Sequence, residues 1–368
     1  MISLVDKIKT DILVVGSGPA GSVTARYAAM KGAQVTFIER RLEVGVPVRC
    51  GEMIPSNEEI KGMFPNLEDA ESLFDIPKEL HLRDIKGIKL IDPKDKCTLL
   101  DFTGYTINRD KFDQYLADEA QKEGADLIKS CQFQEIKDGK AVTTCGDIEY
   151  KVIIGADGPG SRVAQSLGLT RNHMPYPAVT AQAKGDFEPY VQMFFGGIAP
   201  GAYSWVIPKI GQANIGVGFS PKFSNGTLSQ YFDKFVKMHE FDVISDKLEG
   251  KYVPSEGAIP KTVAGNGMVV GDAAGHVISV NGGGIPLALI AGRFCGQVAG
   301  DNIKEGRSLV DYETLWKEVL YKPLKIAANN KRLADTFAFG SDKRTEICMS
   351  ILGMRRMGKL IRCKHLFP

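Results

Sequence analysis

Residues 11–21 read D-I-L-V-V-G-S-G-P-A-G, and this stretch carries the strongest structural signal in the chain. The β-branched run before Gly16 predicts a buried parallel strand. Helix formers follow from Ala20 to Met30, and a second apolar run, Val35 to Ile38, ends at Glu39. A strand, a glycine turn, a helix, a strand and an acid in this order predict a dinucleotide-binding βαβ unit.

Each glycine of the turn has a physical purpose in such a unit. Gly16 permits the tight turn, Gly18 lets a pyrophosphate approach the backbone, and Gly21 lets the helix pack against the strand. The helix N-terminus offers free N–H groups to the phosphates, and Glu39 would bind the adenosine ribose. The predicted nucleotide-binding residues are Gly16, Gly18, Ala20, Gly21, Glu39 and Arg40. The unit by itself leaves FAD and NAD open.

The composition is that of an ordinary globular protein. The 46 basic and 44 acidic residues leave a net charge of +2, which gives no overall attraction to nucleic acid. No apolar run approaches the ~20 residues of a membrane span, and residues 1–10 lack the apolar stretch of a signal peptide. We therefore expect a cytoplasmic protein.

The seven cysteines are scattered, with no C-x-x-C pair and no metal-ligand spacing. We therefore predict no metal site, and mostly reduced thiols as in other cytoplasmic chains. Two pairings stay open, Cys131 with Cys145 and Cys348 with Cys363.

Three later stretches favour FAD over NAD. The first, N-R-D-K-F-D-Q-Y-L-A-D-E-A-Q-K-E-G at 108–124, predicts a helix capped by Asn108. Arg109 would then lie in the first turn, where a cation gains nothing from the helix dipole. That position indicates a phosphate or flavin partner, and a solvated arginine is the alternative.

The other two stretches are strands that run into glycine turns, V-I-I-G-A-D-G-P-G-S-R-V at 152–163 and M-V-V-G-D-A-A-G at 268–275. Asp272 stands at the end of the latter strand, where a carboxylate can bind the ribityl hydroxyls of a flavin. An apolar helix follows, and its N–H donors would favour an anionic reduced flavin at the N1 and O2 edge. The residues that lead into this helix are Gly283, Gly284 and Ile285.

The order of these motifs, G-x-G-x-x-G, R-x-x-F-D-x-x-L, G-A-D-G-x-x-S and G-D-A-A-G, resembles the flavoprotein hydroxylase and reductase superfamily. The resemblance runs from Asp11 to Ala299 and implies a mixed α/β (α+β) fold with a Rossmann-like FAD-binding domain. The implied division is a discontinuous FAD domain at 1–165 and 255–300, an antiparallel-sheet substrate domain at 166–254 and a helical region at 301–368. We find no second strand–G-x-G-x-x-G–helix unit, so we expect no dedicated nicotinamide domain.

Two further stretches narrow the resemblance. P-V-R-C-G-E at 47–52 and Y-S-W-V-I-P-K at 203–209 are similar to P-x-x-C-G-E and Y-x-W-x-F-P-K, the marks of the geranylgeranyl reductase family. Within that family the archaeal digeranylgeranylglycerophospholipid reductases are the most similar. The chain departs from the pattern at Ile207, where an aromatic is usual, and at Ser279 and Pro286, around the usual P-x-T-G-G-G-I. These departures concern the flavin N1 edge and the choice of substrate.

The resemblance implies an oxidoreductase of lipid biosynthesis, a flavoprotein that hydrogenates the C=C bonds of geranylgeranyl chains. Reduced FAD would supply a hydride from N5, and a proton would come from elsewhere. Beyond the nucleotide-binding turn, the predicted cofactor contacts are Cys50, Gly51, Glu52, Arg109, Cys131, Asp272, Gly283, Gly284 and Ile285. The predicted catalytic residues are Cys50, Tyr203 and Trp205.

The expected functions of these three residues differ. Cys50 would face the flavin and shape the site, move with the flavin redox state or donate a proton; the alternative is a small buried packing residue. Tyr203 and Trp205 alternate along a predicted strand, so their side chains share a face. They would grip an isoprene unit and stabilise positive charge by cation–π attraction, unless the strand only packs on the core. His276 is a weaker candidate for the acid.

The tail at 343–368 carries seven Lys or Arg against Glu346. A helix there would place four apolar residues on one face, namely Ile347, Ile351, Met354 and Ile361. Such a helix fits an anionic membrane surface, and it equally fits a face docked on the protein's own core. With a lipid substrate we expect a cytoplasmic enzyme in peripheral contact with the inner face of the cell membrane.

Two rival functions stay open. Tryptophan-type halogenases carry W-x-W-x-I-P, whose second half matches Trp205 to Pro208, although Tyr203 replaces the first tryptophan. A flavin monooxygenase or halogenase is one rival, and a non-catalytic flavoprotein that carries lipid or electrons is the other. The electron donor, a ferredoxin or a reduced nicotinamide, also stays open, as do other polyprenyl chains such as those of menaquinone or polyprenols.

Overall fold

The computed structural model describes residues 8–170, 176–245 and 247–367. Its strands are, in chain order, β1 (Ile8–Lys9), β2 (Ile12–Val15), β3 (Val35–Ile38), β4 (Met53–Pro55), β5 (His81–Ile85), β6 (Ile88–Ile91), β7 (Cys97–Leu100), β8 (Gly104–Ile107), β9 (Asp126–Ile128), β10 (Phe133–Lys137), β11 (Lys140–Thr143), β12 (Gly146–Glu149), β13 (Val152–Gly155), β14 (Tyr176–Lys184), β15 (Val191–Phe194), β16 (Ser204–Pro208), β17 (Gln212–Gly218), β18 (Asp242–Val243), β19 (Glu249–Val253), β20 (Val263–Ala264) and β21 (Gly267–Val269). Its α-helices are α1 (Pro19–Met30), α2 (Asn57–Met63), α3 (Ala70–Leu73), α4 (Arg109–Lys122), α5 (Arg162–Ser166), α6 (Leu228–His239), α7 (Ile285–Glu305), α8 (Val310–Trp316), α9 (Lys322–Leu333) and α10 (Asp342–Ile361).

A six-stranded sheet in the order β20-β21-β13-β2-β3-β9 carries the predicted nucleotide unit. β2 and β3 are buried parallel neighbours, with Ile12 opposite Val35 at the start of the register. α1 connects them, as a parallel pair requires, and it begins at Pro19, whose fixed φ suits a first helical turn. The predicted strand, turn, helix and strand are confirmed.

The same sheet is completed from a distant part of the chain. β21 pairs in parallel with β13, which pairs in turn with β2. α7 packs closely on α1, because a Cβ on Gly292 or Gly296 would lie within 3 Å of α1 backbone oxygens. The nucleotide sheet is thus assembled from two segments that are far apart in sequence.

A second, eight-stranded sheet has the order β18-β14-β17-β16-β15-β6-β7, with β19 also paired to β14. Its strands β14 to β17 form antiparallel pairs, as the resemblance implied for the segment 166–254. The mixed α/β fold with an antiparallel sheet is therefore confirmed. β6 and β7 join this sheet from residues 88–100, so it extends outside the segment 166–254. The three-part division of the chain stays a prediction.

The C-terminal part is helical. α8 and α9 continue through two π-helical segments, Lys317–Tyr321 and Ala334–Ala338. α10 is kinked near its middle at Gly353, whose φ of +60° and ψ of 174° belong to a region that is open essentially to glycine alone. The two halves of α10 therefore point in different directions.

The kink separates apolar residues that a straight helix would place together. Ile347, Ile351 and Met354 are exposed, whereas Ile361 is only 2% exposed and packs with Met357 in a core cluster. The predicted common face is thus wrong for Ile361. Residue 368, at the end of the predicted basic tail, lies outside the described residues.

Cys131 and Cys145 form a disulfide, one of the two pairings that the spacing left open. The free cysteines are Cys50, Cys97, Cys295, Cys348 and Cys363, so the second possible pairing does not form. Within the described ranges, no helix has the length and apolar character needed to cross a membrane. Those ranges also contain no group of His, Cys, Asp and Glu arranged to hold a metal ion.

Candidate active site

One continuous cavity of about 860 Å³ is bordered by the nucleotide unit, the eight-stranded sheet, α10 and residues 45–52, which we call the Cys50 loop. Its lining includes every predicted cofactor-binding and catalytic residue except Gly21. Gly21 packs instead, since a Cβ there would lie 1.8 Å from the Gly16 carbonyl oxygen. The predicted site residues are thus brought together in space, and their separate functions stay predictions.

The nucleotide end of the cavity contains the turn between β2 and α1. Gly18 is the N-cap of α1, and none of the described side chains caps the helix there, so its first N–H groups can bind a ligand. A Cβ on Gly18 would meet no described atom within 4 Å, which leaves room at the backbone. The buried Glu39 carboxylate accepts hydrogen bonds from the Ser17 hydroxyl (2.8 Å) and the Ser17 N–H (3.3 Å). This carboxylate and helix N-terminus suit a ribose and a pyrophosphate.

A second helix N-terminus, that of α7, belongs to the same lining. Gly284 is the N-cap of α7, and a Cβ there would lie 3.3 Å from Asp272 Oδ1. The Asp272 carboxylate therefore adjoins the start of the helix. Its other oxygen forms an ion pair with Lys251 of β19 at 2.6 Å.

Two buried hydroxyl groups in this lining have no hydrogen-bond partner within the described part of the chain. They belong to Ser255 and Ser279, each less than a tenth exposed. A buried hydroxyl without a partner is destabilising, so we expect a ligand with polar atoms there. Two helix N-termini, two carboxylates and these hydroxyls match the phosphates, the ribose, the ribityl chain and the polar ring edge of FAD. The residues present therefore fit FAD.

The Cys50 sulfur lies between a backbone donor and a cation. The Glu52 N–H donates to Cys50 Sγ at 3.2 Å, and the Arg109 guanidinium adjoins the same sulfur. Arg109 also forms a two-fold ion pair with Asp113, at 2.7 and 2.9 Å. Burial acts to lower the pKa of Arg109, but the Asp113 carboxylate and the Cys50 sulfur together raise it above its usual value. Arg109 therefore stays charged beside the thiol.

The position of Arg109 has an explanation that sequence analysis missed. Asp113 lies one turn further along α4, and an (i, i+4) spacing of opposite charges itself predicts an ion pair. A cation in the first turn therefore does not require a phosphate. Contact between Arg109 and the cofactor stays a prediction, supported by its place in the cavity lining.

Glu52 is a buried carboxylate that joins the Cys50 loop to two other elements. It is 1% exposed, and its φ of +63° is uncommon for a residue with a side chain. Its Oε2 accepts from Lys209 Nζ (2.6 Å), Asn214 Nδ2 (2.9 Å) and Gln182 Nε2 (2.8 Å). Its Oε1 accepts from the Arg109 N–H at 3.2 Å. The glutamate of C-G-E and the lysine of Y-S-W-V-I-P-K are therefore a buried ion pair.

This arrangement changes the predicted cap of α4. Asn108 is the N-cap residue, but its side chain makes no capping bond and instead accepts from Lys209 Nζ at 3.4 Å. The Glu52 carboxylate binds the first N–H of the helix, where a negative charge is favourable. Asn108 is thus the N-cap residue, as predicted, but its side chain does not make the capping hydrogen bond expected of an asparagine there.

Tyr203 and Trp205 both line the cavity, as their alternation along β16 predicts. Their ring centroids are 5.9 Å apart in an edge-to-face arrangement. The Tyr203 hydroxyl donates to the Asn281 carbonyl, three residues before the N-cap of α7, and burial raises the Tyr203 pKa. The Trp205 indole N–H donates to Asn214 Oδ1 at 2.8 Å. With both polar groups satisfied, the rings contribute apolar surface to the cavity.

Cys131 and His276 differ in their relation to the cavity. Cys131 lines its nucleotide end, where its N–H donates to the Glu39 carbonyl at 2.8 Å, but its sulfur is held in the disulfide. Its contact with the cofactor stays a prediction. His276 is fully buried outside the lining and packs on Trp316, with ring centroids 4.7 Å apart. The weaker candidate for the acid therefore does not reach the cavity.

The C-terminal helices contribute a mostly apolar part of the lining. The residues from α10 are Thr345, Cys348, Met349, Leu352, Met357, Leu360 and Ile361. Lys331 of α9 also lines the cavity, but its Nζ binds the Tyr176 hydroxyl at 2.6 Å and pairs with Asp335. Burial lowers the Lys331 pKa, and Asp335 opposes this only in part. The polar cofactor region thus continues into a space that suits a hydrocarbon chain.

Sequence analysis missed several residues of the site. Asp113 lies four residues after Arg109, and that spacing was the available signal. Lys209 is the last residue of Y-S-W-V-I-P-K, and its place in that motif was the available signal. Asn214 and Lys251 had no local signal, because their partners lie in other parts of the chain.

Comparison with known sequences gives matches over most of the chain. The profile of the geranylgeranyl reductase catalytic domain matches residues 176–250, and that of an NAD(P)-binding Rossmann-like domain matches residues 14–61. The digeranylgeranylglycerophospholipid reductase 2 of Methanosphaera stadtmanae is 32% identical over 351 residues, which cover 86% of either chain.

Solved structures share the fold. A geranylgeranyl bacteriochlorophyll reductase-like protein of Thermoplasma acidophilum superposes with a TM-score of 0.83 at 29% identity, covering 94% of this chain and 91% of that one. A flavin-dependent brominase superposes with a TM-score of 0.71 at 16% identity, covering 96% and 94%. At that identity the likeness to the brominase shows the fold alone.

Proposed function

The chain belongs to the geranylgeranyl reductase family, and from this we propose that it reduces the C=C bonds of geranylgeranyl chains in membrane-lipid precursors such as digeranylgeranylglycerophospholipid. It is an FAD-dependent oxidoreductase. The observation that carries the proposal is the continuous cavity, in which a cofactor region passes into an apolar space lined by Cys50, Tyr203, Trp205 and α10.

The residues that would hold FAD come from both segments of the nucleotide sheet. Gly18 and the start of α1 would bind the phosphates, Glu39 the ribose, and Asp272 with Ser279 the ribityl chain and the ring edge. When bound and reduced, FAD supplies a hydride. The chain's own residues must hold the alkene, deliver a proton and stabilise charge.

We assign the proton to the Cys50 thiol. One alkene carbon gains a hydride and the other gains this proton, so C=C becomes CH–CH while the sulfur keeps the S–H electron pair. The Glu52 N–H at 3.2 Å and the adjoining Arg109 cation are placed to stabilise the resulting negative sulfur. A proton from solvent then restores the thiol between turnovers.

Tyr203 and Trp205 serve the carbon side of the same step. An alkene that is protonated early carries positive charge on its more substituted carbon. The two rings contact each other edge to face, so they form one aromatic surface of the cavity lining. A cation within about 6 Å of the centroid of either ring would be attracted to its face. They therefore hold the isoprene unit and lower the energy of its charged form.

We further propose peripheral contact with the inner face of the cell membrane through the C-terminal apolar patch, defined as Phe337, Ile347, Ile351 and Met354. All four side chains are exposed, and the Cys348 thiol joins the α10 part to the Phe337 backbone. Other residues of α10 line the cavity, so a lipid at the patch lies one helix away from it. The basic residues 343, 344, 355, 356 and 359 suit anionic headgroups.

Vesicle flotation tests the patch. Ile351→Glu combined with Met354→Glu should abolish flotation of the holoenzyme with vesicles that contain an anionic lipid. Ile210→Glu changes an equally exposed apolar residue in the turn between β16 and β17, and it should float like the wild type. Flotation of the double variant at the wild-type level would refute this contact.

An anaerobic assay tests the reaction. The holoenzyme is reduced with dithionite, or in parallel arms with a reduced ferredoxin or NADPH, and mixed with digeranylgeranylglycerophospholipid. We expect mass gains in steps of two hydrogens, which Trp205→Ala should strongly diminish and the exposed Cys97→Ser should not. Unchanged lipid over a bound, reducible flavin would refute the proposal, and bromination of an aromatic substrate in air would favour the halogenase rival.

A further inference from the structure

Asn214 uses the whole hydrogen-bonding capacity of its side chain next to the site. It lies fully buried in β17. Its Oδ1 accepts from the Trp205 indole N–H and from the Thr180 hydroxyl, both at 2.8 Å. Its Nδ2 donates to the Cys50 carbonyl and to Glu52 Oε2, both at 2.9 Å. A side-chain amide offers two donors and two acceptor sites, and each has a partner here, although the Thr180 hydroxyl also lies 3.1 Å from the Ile215 carbonyl.

These partners fix the orientation of the amide. A half-turn of the Asn214 amide would set its NH₂ against the Trp205 indole N–H, which can only donate, and its oxygen against the Cys50 carbonyl and the Glu52 carboxylate, which can only accept. The Thr180 hydroxyl alone could adapt, by donating to the Ile215 carbonyl at 3.1 Å. Buried polar groups left in that state are strongly disfavoured. The amide therefore has one stable orientation, with the indole at one end and the Cys50 loop at the other.

The Cys50 loop is held to the sheet by more than this amide. Glu52 and Lys209 form an ion pair whose side chains are only 2% and 3% exposed. Removal of one partner from a buried pair leaves an uncompensated charge, so the loop cannot leave the sheet without a large penalty. Glu52 thus supplies a fixed point beside the Asn214 amide.

The Trp205 indole packs against β17, the strand that carries Asn214. Gly216 of β17 lies opposite Trp205 in the register, and a Cβ there would lie 2.1 Å from Trp205 Cζ2. The indole therefore lies directly on the β17 backbone, two residues from Asn214. Its remaining freedom, sliding along the strand, is restrained by the N–H bond to Asn214.

We propose that Asn214 is a positioning residue that couples the Trp205 indole to the Cys50 loop, so that the aromatic ring and the thiol keep one relative placement during reduction of the double bond. This inference rests on the proposed function, since it concerns the same reaction. Asn214 does not line the cavity and acts only through its partners. Displacement of the indole at one end of the amide is transmitted to the Cys50 carbonyl at the other.

The coupling is tested by changing one end of the amide and measuring the other. Trp205→Phe keeps an aromatic ring but loses the N–H. In that holoenzyme we expect iodoacetamide to alkylate Cys50 about threefold faster or more, measured by peptide mass spectrometry against the exposed Cys97 in the same sample. The exposed Asn266 provides the matched control Asn266→Ala, which should leave the ratio unchanged, because its side-chain amide donates to the Lys151 carbonyl, far from the Cys50 loop in the chain.

Asn214→Ala gives the second measurement. It should raise Cys50 alkylation in the same way and lower kcat for lipid reduction roughly tenfold to a hundredfold with little change in KM, because a loss of alignment affects the reacting geometry more than binding. A loss of stability alone would not produce this split in a folded holoenzyme.

Two results would overturn the coupling. One is an unchanged ratio of Cys50 to Cys97 alkylation in Trp205→Phe, which decides the question even if Asn214→Ala fails to fold. The other is a folded Asn214→Ala holoenzyme with wild-type kcat. Alkylation needs no lipid turnover, so the two proposals can fail separately. If Cys50 alkylation rises in Trp205→Phe while the wild-type protein shows no reductase activity, only the proposed function is refuted.

Discussion

Cys50 differs from two other free cysteines in what surrounds its sulfur. Burial in apolar surroundings raises the pKa of Cys295 and brings that of Cys363 to about 12, so both thiols keep their protons at any physiological pH. The Cys50 sulfur instead accepts the Glu52 N–H and adjoins the Arg109 cation. A backbone N–H and a cation beside the sulfur stabilise negative charge there, and an apolar core offers no such partner.

Cys50→Ser tests the proton-donor assignment at this scale. A serine hydroxyl has similar size but is a far weaker acid, so we expect lipid reduction to slow by about 100-fold or more, the usual contribution of a general acid. The flavin absorbance spectrum should show that FAD is still bound. If Cys50→Ser turns over at the wild-type rate, the proton comes from another donor. Cys97→Ser serves as the control for loss of a remote thiol.

Single residues were predictable where the chemistry is local. Tyr203 and Trp205 share a face because strands alternate. The ion pair of Arg109 and Asp113, which the sequence analysis missed, could likewise have been predicted from their spacing of one helical turn. Asn108 was predicted to cap α4 because asparagine is a common N-cap residue and it directly precedes the helix. The sequence around it could not indicate that a glutamate in a distant loop would accept the first N–H of the helix in place of the Asn108 side chain.

α10 is the element whose shape depends most on one residue. Gly353 has a φ and ψ open essentially to glycine alone, and the kink lets Leu352 and Met357 both line the cavity. It also leaves Ile351 and Met354 on the outside. One bent helix therefore provides a wall of the cavity and the apolar patch.

Gly353→Ala should destabilise the holoenzyme by about 1–3 kcal/mol, the usual cost of forcing a residue with a side chain into this conformation. Gly358→Ala is the matched control in the same helix, where a Cβ would be in ordinary contact and alanine should add up to about 1 kcal/mol of stability. Urea unfolding followed by circular dichroism measures both. Equal stability of the two variants would show that the kink is not held by its glycine.

Elements were predictable where periodicity and turn chemistry agree. The apolar runs before the glycine turns form β2, β13 and β21, and the segment for which an antiparallel sheet was implied contains β14 to β17. β6 and β7 were missed as members of that sheet, because strand partnership across a hundred residues leaves no local pattern. The ion pair of Glu52 with Lys209 was not predicted for the same reason, although each residue ends one of the two geranylgeranyl reductase motifs.

The core of the whole molecule contains a histidine that is neutral. His276 is fully buried, and neither ring nitrogen has a hydrogen-bond partner among the described residues. Burial lowers its pKa from 6.5 to about 3, and Asp272 opposes this only in part. The unfolded chain exposes the ring and takes up a proton below pH 6.5, whereas the folded chain does not. Folding stability therefore falls as the pH drops from 6.5 toward 3, and this contribution is constant above pH 6.5.

The loss of unfolding free energy from His276 should amount to about 2 kcal/mol between pH 6.5 and pH 5. In His276→Leu the difference in stability between pH 7 and pH 5, measured by urea unfolding of the holoenzyme, should shrink by that amount. His365→Leu removes an exposed histidine and should keep the wild-type difference. If the difference in stability between pH 7 and pH 5 is unchanged in His276→Leu, the loss of stability in acid comes from other groups.

The division of the nucleotide sheet between two distant segments has a consequence for biosynthesis. The ribosome completes β2, β3 and β13 long before it reaches β21 and α7, and early segments fold first. Until then a nascent chain exposes one edge of β13 and lacks Asp272 and the second helix N-terminus. An open edge of this kind can pair with other strands. We therefore expect FAD to bind only after α7 has been synthesised.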